Sequence, residues 1–282
     1  MKIYKKNHSR IHLKKLMKSI IFLAVGLVFF GCSQMDNTAS KVSIAAPNSF
    51  TENQNIAPKA DSFSLDYIIG KFDPTKHPDF IEIEKKYASR QGMRMRKDAY
   101  SAFLEMQTAA LKEGINLKIL SAVRPFSHQK SIWEAKWNGN RKVDGKDLSK
   151  TLPDAKERAY KILTYSSMPG TSRHHWGTDI DLNSLEPDFF ETGEGKRIYE
   201  WLTTNAGSFG YCQPYSPKGE ERPDGYNEEK WHWSYMPISE GLTKLAKSKL
   251  TNEMISGFDG AEAATKIDVV SKYVLGINEE CK

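Results

Sequence analysis

The sequence predicts an α+β domain, a small central antiparallel sheet flanked by helices. Three observations carry this. Some segments place apolar residues at helical spacing, others alternate apolar and polar residues as strands do, and the two kinds interleave at irregular intervals. The elements should begin near Phe63, where Leu65, Tyr67, Ile68 and Ile69 follow a polar stretch. "RKDAYSAFLEMQTAALKEG" spaces Tyr100, Phe103, Leu104 and Leu111 as a helix, with Gly114 as its C-terminal stop. "INLKILSAV" sets Ile115, Leu117 and Ile119 against polar neighbours, the pattern of a strand. "RPFSHQKSIWEAKW" reads as a proline turn, Ser127 as N-cap, then a helix. "LPDAKERAYKILTY" is a further helix with Pro153 near its first turn. "HHWGTDIDL" reads as a turn and a strand, "GKRIYEWLTTNAGSFG" as a helix ending near Gly207, and "KWHWSYM" as an aromatic strand. "ISEGLTKLAKSKL" and "GAEAATKIDVVSKYVL" close the chain as a helical tail.

Charge and leader set the context. The 282 residues carry 41 Lys and Arg against 35 Asp and Glu, a net +6. Lys2, Lys5, Lys6, Arg10, Lys14, Lys15 and Lys18 all precede residue 32 with no acid among them, so the remainder is −1. A nucleic-acid partner therefore loses its support. The basic segment runs into an apolar stretch, Ile20 to Phe30, shorter than the roughly 20 residues of a membrane span and of the length of a signal-peptide core. It stops at Gly31-Cys32, which resembles the lipobox of bacterial lipoproteins, with Phe29 departing from the leucine usual there. Residues 1–31 are thus expected to be a lipoprotein signal peptide, with Cys32 the acylated residue that anchors the chain to a membrane. A plain secretory signal is the alternative. Residues 32–60, polar and without period, should form a flexible tether, and residues 61–282 the folded domain. Export puts Cys212 and Cys281 in an oxidising compartment, where they are expected to pair.

Two clusters carry the chemistry. In "SRHHWGTDIDL", Asp179 and Asp181 share one strand face while Ile180 and Leu182 point to the core. A carboxylate beside a core strand is costly unless paired or bound to a cation. The stretch can offer a metal one imidazole, from His174 or His175, and one carboxylate. Some fifty residues on, "EEKWHWSY" adds His232 and the acid Glu229. A catalytic zinc takes three such ligands and keeps a position open, and a carboxylate that is not a ligand takes the proton of water. In a regular strand Glu229 and His232 would face opposite ways, so the chain around Lys230 must turn. No G-x-S-x-G elbow or cysteine–histidine signature is present.

Both clusters resemble one family. "SRHHWGTDID" is similar to the S-x-H-x-x-G-x-x-x-D pattern of the LAS metallopeptidases, and "EKWHWSY" to their E-x-W-H-x-x-Y. The likeness is greatest to D-alanyl-D-alanine carboxypeptidases of the VanY type, covers about Asp66 to Met236, and includes "SAVRPFSHQ", a strand-end Arg followed by Gln. The resemblance implies a LAS (hedgehog-like) fold with one zinc in a cleft over the sheet. It implies His174, Asp181 and His232 as ligands, Glu229 as general base, and Arg124 as the group that polarises the scissile carbonyl or holds a substrate carboxylate. Ser172 would hydrogen-bond substrate, Gln129 would bind substrate or support Arg124, and Trp231 and Tyr235 would line or buttress the cleft. His175 falls on a variable position and reads as a surface or supporting residue. Asp179 stands where the family usually has a small residue, and could orient a ligand histidine or alter substrate fit. His77 and His128 read as structural or surface residues. The expected function is hydrolysis of peptidoglycan stem peptides by a monomeric, exported, membrane-anchored zinc peptidase facing the periplasm or cell exterior. D-alanyl-D-alanine carboxypeptidase leads. L,D-carboxypeptidase and endopeptidase are the alternatives within the fold, and a non-catalytic zinc-containing wall-binding module the alternative outside enzymes.

Overall fold

The computed structural model of the protein describes residues 63–282. The expected signal peptide, Cys32 and the tether lie outside the described residues.

Short elements alternate from the start. Helix α1 (Leu65–Ile68) is a single turn capped by Ser64, whose hydroxyl accepts from the Tyr67 amide at 3.1 Å. Strands β1 (Phe80–Glu82) and β2 (Arg94–Arg96) form an antiparallel ribbon. Helix α2 (Lys97–Lys112) buries Tyr100, Phe103, Met106 and Ala110. Ala110 takes the last inward place, so Leu111, a turn of about 100° away, is 52% exposed and not part of the core. Strand β3 (Ile119–Ser121) is shorter than the alternation from Ile115 suggests. The Leu117 amide donates to the Gln107 side chain of α2 at 2.8 Å instead of to a neighbouring strand.

Helix α3 (Phe126–Trp137) starts two residues earlier than expected. Pro125 is its N-cap and Ser127 lies inside, because the Phe126 amide is already satisfied by the Gly70 carbonyl at 2.8 Å. Helix α4 (Leu148–Thr151) is capped by Asp147, and α5 (Ala155–Ile162) by Asp154, which accepts from the Glu157 amide at 2.9 Å. Pro153 therefore precedes the cap rather than sitting in the first turn. Strand β4 (Asp179–Leu182), helix α6 (Gly193–Asn205), strand β5 (Tyr211–Cys212), strand β6 (His232–Tyr235), helix α7 (Met236–Lys249) and helix α8 (Ala263–Ile267) complete the order, followed by a π-helical turn at Val270–Val274.

The central sheet has the order β3-β4-β6-β5, antiparallel throughout. The expected α+β architecture is the one observed. Alternation gives the sheet two unlike faces. Ile180, Leu182 and Trp233 pack into a core with α2 and α6. Asp179, Asp181, His232 and Ser234 occupy the other face, with Asp181 paired to His232 and Asp179 to Ser234 across the strands. A second core, built from α3, α5, α7, α8 and the C-terminal turns, packs apart from the first. Cys212 on β5 is disulfide-bonded to Cys281, with Cα atoms 5.9 Å apart, which ties the tail to the sheet edge.

Candidate active site

The site grows from one tight turn. Arg173–Trp176 form a 3-10 turn that Gly177 ends at φ 73°, the left-handed region that glycine enters freely. A Cβ at Gly177 would lie 2.3 Å from Phe80 Cε1. The turn swings His174 back beside β4. Its Nδ1 lies 2.9 Å from the Ala122 carbonyl. A carbonyl only accepts, so the proton is assigned to Nδ1 and the Nε2 lone pair faces Asp181 Oδ2 at 3.2 Å. His232 arrives by strand pairing. Its Nε2 lies 2.8 Å from Asp179 Oδ2, while Nδ1 lies 3.3 Å from Asp181 Oδ1 and 3.2 Å from Glu229 Oε2.

Ligand atoms of His174, Asp181 and His232 all lie within 4.8 Å of one another, and all three residues are buried. Asp181 Oδ1 has no hydrogen-bond partner although buried, since its approach to His232 lacks hydrogen-bond geometry. An orphaned buried carboxylate oxygen is costly, and a cation would satisfy it. Two imidazoles and one carboxylate, with room for a further ligand, match a catalytic zinc set. These residues fit the ion.

Glu229 reaches the cluster because the chain turns at Lys230. The His232 amide donates back to the Glu229 carbonyl at 3.1 Å, and the Glu229 amide to Tyr215 at 2.9 Å. Burial pushes the Glu229 carboxyl above its ordinary pKa, against the pull of His232. Burial also lowers His174. On His232 burial opposes charge, but Asp179, Asp181 and Glu229 hold its pKa well above the usual histidine range.

Arg124 follows β3. Its amide donates to the His174 carbonyl at 3.0 Å, and its own carbonyl lies 2.6 Å from His175 Nδ1. His175 is fully buried, and its Nε2 accepts from the Gly170 amide at 3.0 Å. It is a brace behind Arg124, not a surface group. The Arg124 Nε is buried without a partner, and burial lowers the pKa of the guanidinium while Asp181 and Glu229 raise it.

These groups open on a cleft of ≈320 Å³ whose wall includes Arg124, His174, Asp181, Glu229, Trp231 and His232. Three residues of the wall were not among the expected site residues: Lys136 and Arg141, which add two cations, and Tyr215, whose ring lies 4.8 Å from that of His232. No motif marks them; they come from the end of α3 and from loops without a period. Three expected substrate contacts are placed elsewhere. Ser172 is buried with its Oγ unpartnered, outside the cleft wall. Gln129 is fully buried and donates to the Ser167 carbonyl at 2.7 Å, supporting the wall from behind. Tyr235 is three residues from His232 in a regular strand and so faces away, into a separate groove of ≈650 Å³ that holds none of the cluster. Of the two other histidines, His77 packs against Phe72 and Phe80, and His128 is exposed.

The family model for VanY, D-alanyl-D-alanine carboxypeptidase, matches residues 92–238. The chain belongs to the VanY family. The matched segment contains Arg124, His174, Asp181, Glu229 and His232. The putative carboxypeptidase YodJ of Bacillus subtilis is 31% identical over 163 residues, 55% of this chain and 48% of that protein. The D-alanyl-D-alanine carboxypeptidase of Enterococcus faecalis is 31% identical over 137 residues, 49% of this chain and 46% of that protein. The chain thus spans about half the length of these curated relatives. Among solved structures, a vancomycin-resistance D,D-pentapeptidase VanY in complex with Zn(II) is 21% identical, with a TM-score of 0.44, over 68% of this chain and 92% of that one. The LdcB LD-carboxypeptidase is 22% identical, with a TM-score of 0.45, over 72% of this chain and 81% of that one.

Proposed function

We propose that this VanY-family chain is a zinc-dependent peptidase that hydrolyses peptidoglycan stem peptides, foremost as a D-alanyl-D-alanine carboxypeptidase holding one zinc. The observation that carries the proposal is the buried His174–Asp181–His232 set with Glu229 beside it, opening on a cleft lined by Arg124, Lys136 and Arg141. Bound zinc would supply Lewis acidity, polarising a carbonyl oxygen and acidifying water. Glu229, raised by burial, takes a proton from the attacking water at its carboxylate and returns it to the leaving amine. Arg124 directs its guanidinium at the charge that grows on the carbonyl oxygen or at a substrate carboxylate. Lys136 and Arg141 favour a peptide that ends inside the cleft on its own carboxylate, which supports trimming of a terminal residue over internal cleavage. Trp231 gives the cleft an apolar side. Gln129 acts through the wall it supports.

The placement of the chain belongs to the same proposal. Residues 1–31 are a lipoprotein signal, Cys32 carries lipid, residues 32–60 are the tether, and residues 61–282 work as a monomer outside the cytoplasm. The Gly31-Cys32 pattern and the Cys212–Cys281 bond support export to an oxidising compartment.

The test uses the full chain with one equivalent of zinc, offered pentapeptide stems ending in D-Ala-D-Ala, tetrapeptide stems and cross-linked dimers, with products read by mass. Loss of one alanine from the pentapeptide, abolished by chelator and restored by zinc, is expected. Trimming of tetrapeptides alone would assign an L,D-carboxypeptidase, and cleavage of dimers alone an endopeptidase. Zinc binding without any cleavage would leave a binding module and overturn the enzyme.

A further inference from the structure

Strand β4 carries a second buried carboxylate, two residues before the metal-facing Asp181. Asp179 has no exposed surface and no place in the cleft wall. Its two oxygens accept four hydrogen bonds. Oδ2 takes Arg173 Nε at 3.0 Å and His232 Nε2 at 2.8 Å. Oδ1 takes Thr178 Oγ1 at 2.7 Å and Ser234 Oγ at 2.8 Å. Arg173 is as deeply buried. Its Nη1 donates to Thr243 Oγ1 of α7 at 2.9 Å, its Nη2 to Ser234 Oγ at 2.7 Å, and its guanidinium lies 4.5 Å from the Trp176 ring centre.

Burying such a pair costs several kcal/mol per ion, and an apolar pair of similar volume often serves stability as well or better. Stability alone therefore does not account for it. An apolar pair could not act on an imidazole. Asp179 touches one nitrogen of His232 while the other nitrogen faces Asp181 and Glu229. Strand register makes this possible, because Asp179 and Asp181 share a face and the His232 ring spans both.

We propose that the buried Arg173–Asp179 pair is a positioning device for the metal ligand His232, holding a proton on Nε2 and so committing Nδ1 to the ion with the ring plane fixed. Arg173 Nε shares Oδ2 with His232 Nε2 and anchors the Asp179 carboxylate against the ring. Thr178 and Ser234 take the other two acceptor sites of Asp179, and Thr243 and Ser234 each hold one Nη of Arg173, so neither charge can swing away. The proposal rests on the metal site described above. Partners that hold the outer nitrogen of a ligand histidine are typically worth 10–100-fold in metal affinity.

Two measurements on the full chain test it. The first is a long-range 1H–15N imidazole spectrum of the zinc-loaded, wild-type chain. The expected result is a slowly exchanging proton on His232 Nε2 and a metal-shifted Nδ1. A proton on Nδ1, or the metal on Nε2, would overturn the proposal alone. The second is chelator competition for zinc by the paired variant Arg173→Gln with Asp179→Asn, which leaves no lone buried charge. Zinc affinity about 10–100-fold weaker, with the urea midpoint of the zinc-free form close to wild type, is expected. Wild-type affinity in the folded variant would overturn it, and if the variant does not fold the wild-type spectrum decides. A wild-type chain that binds no zinc would remove the metal site itself, and this proposal with it.

Discussion

Lys136 is a charge that the fold tolerates at a cost, and its removal should stabilise the protein while impairing it. The side chain lies largely buried in the cleft wall, with its ammonium against Ser166 Oγ. Among the described residues no carboxylate pairs with it. Burial, then Arg141 and Arg124, push its pKa from 10.5 down to about 8. At 1.36 kcal/mol per tenfold, and discounted for partial exposure, the charged form costs the fold about 2–3 kcal/mol. The sign follows from proton linkage. Below pH 8 folded and unfolded chains both carry the proton, and the full cost is present. Between pH 8 and 10.5 only the unfolded chain keeps it, so folded stability rises with pH. Lys136→Met retains the unbranched stem and drops the charge. Urea unfolding should show the variant about 2–3 kcal/mol more stable at pH 7, with the gap closing from pH 8 toward 10.5. The same variant should raise KM for carboxylate-ended peptides about tenfold, the equivalent of about 1.4 kcal/mol, and leave carboxamide-ended peptides unchanged. A variant no more stable than wild type at pH 7, or a gap independent of pH, would mean that the Lys136 charge costs the fold nothing.

Three further outcomes follow from other parts of the structure. Replacing Cys212 and Cys281 together by alanine should lower the unfolding free energy by about 4 kcal/mol, the chain-entropy value for the 69-residue separation, read from denaturant curves. His175→Leu strands the Arg124 carbonyl and the Gly170 amide, each at about 1–3 kcal/mol, and should lower the thermal midpoint and raise KM together through the loosened Arg124. Gly177→Ala forces a left-handed residue, about 1–2 kcal/mol, and sets a methyl 2.3 Å from Phe80 Cε1, so calorimetry should show a loss beyond that figure.

The residues of the proposed metal site and its base were legible because their spacing is local. His174, Asp181, Glu229 and His232 sit in two short segments whose turn-and-strand geometry follows from the residues themselves. The irregular backbone at Lys230 was legible for the same reason, since three residues along a strand reverse the face. The same rule applied to His232 and Tyr235 would have turned Tyr235 away from the cleft. What stayed hidden is tertiary. The burial of His175 and Gln129 depends on Arg124, Gly170 and Ser167, which reach them through the fold. Lys136 and Arg141 enter the cleft because α3 ends beside it, which no pattern in "KWNGNR" announces. Ser127 failed as a cap because the Gly70 carbonyl, more than fifty residues away, already held the first helical amide.

On the proposed mechanism Glu229 moves the proton in a site whose metal is held by His174, Asp181 and His232. The direct measurement compares wild type with Glu229→Gln, both as the full zinc-loaded chain, for bound zinc and for the rate of alanine release from a pentapeptide stem. One zinc is expected in each, and a rate lower by about 10²–10⁴ in the variant, a barrier increase of about 3–5 kcal/mol. A variant that keeps the wild-type rate, or one that loses the zinc along with the activity, would contradict it.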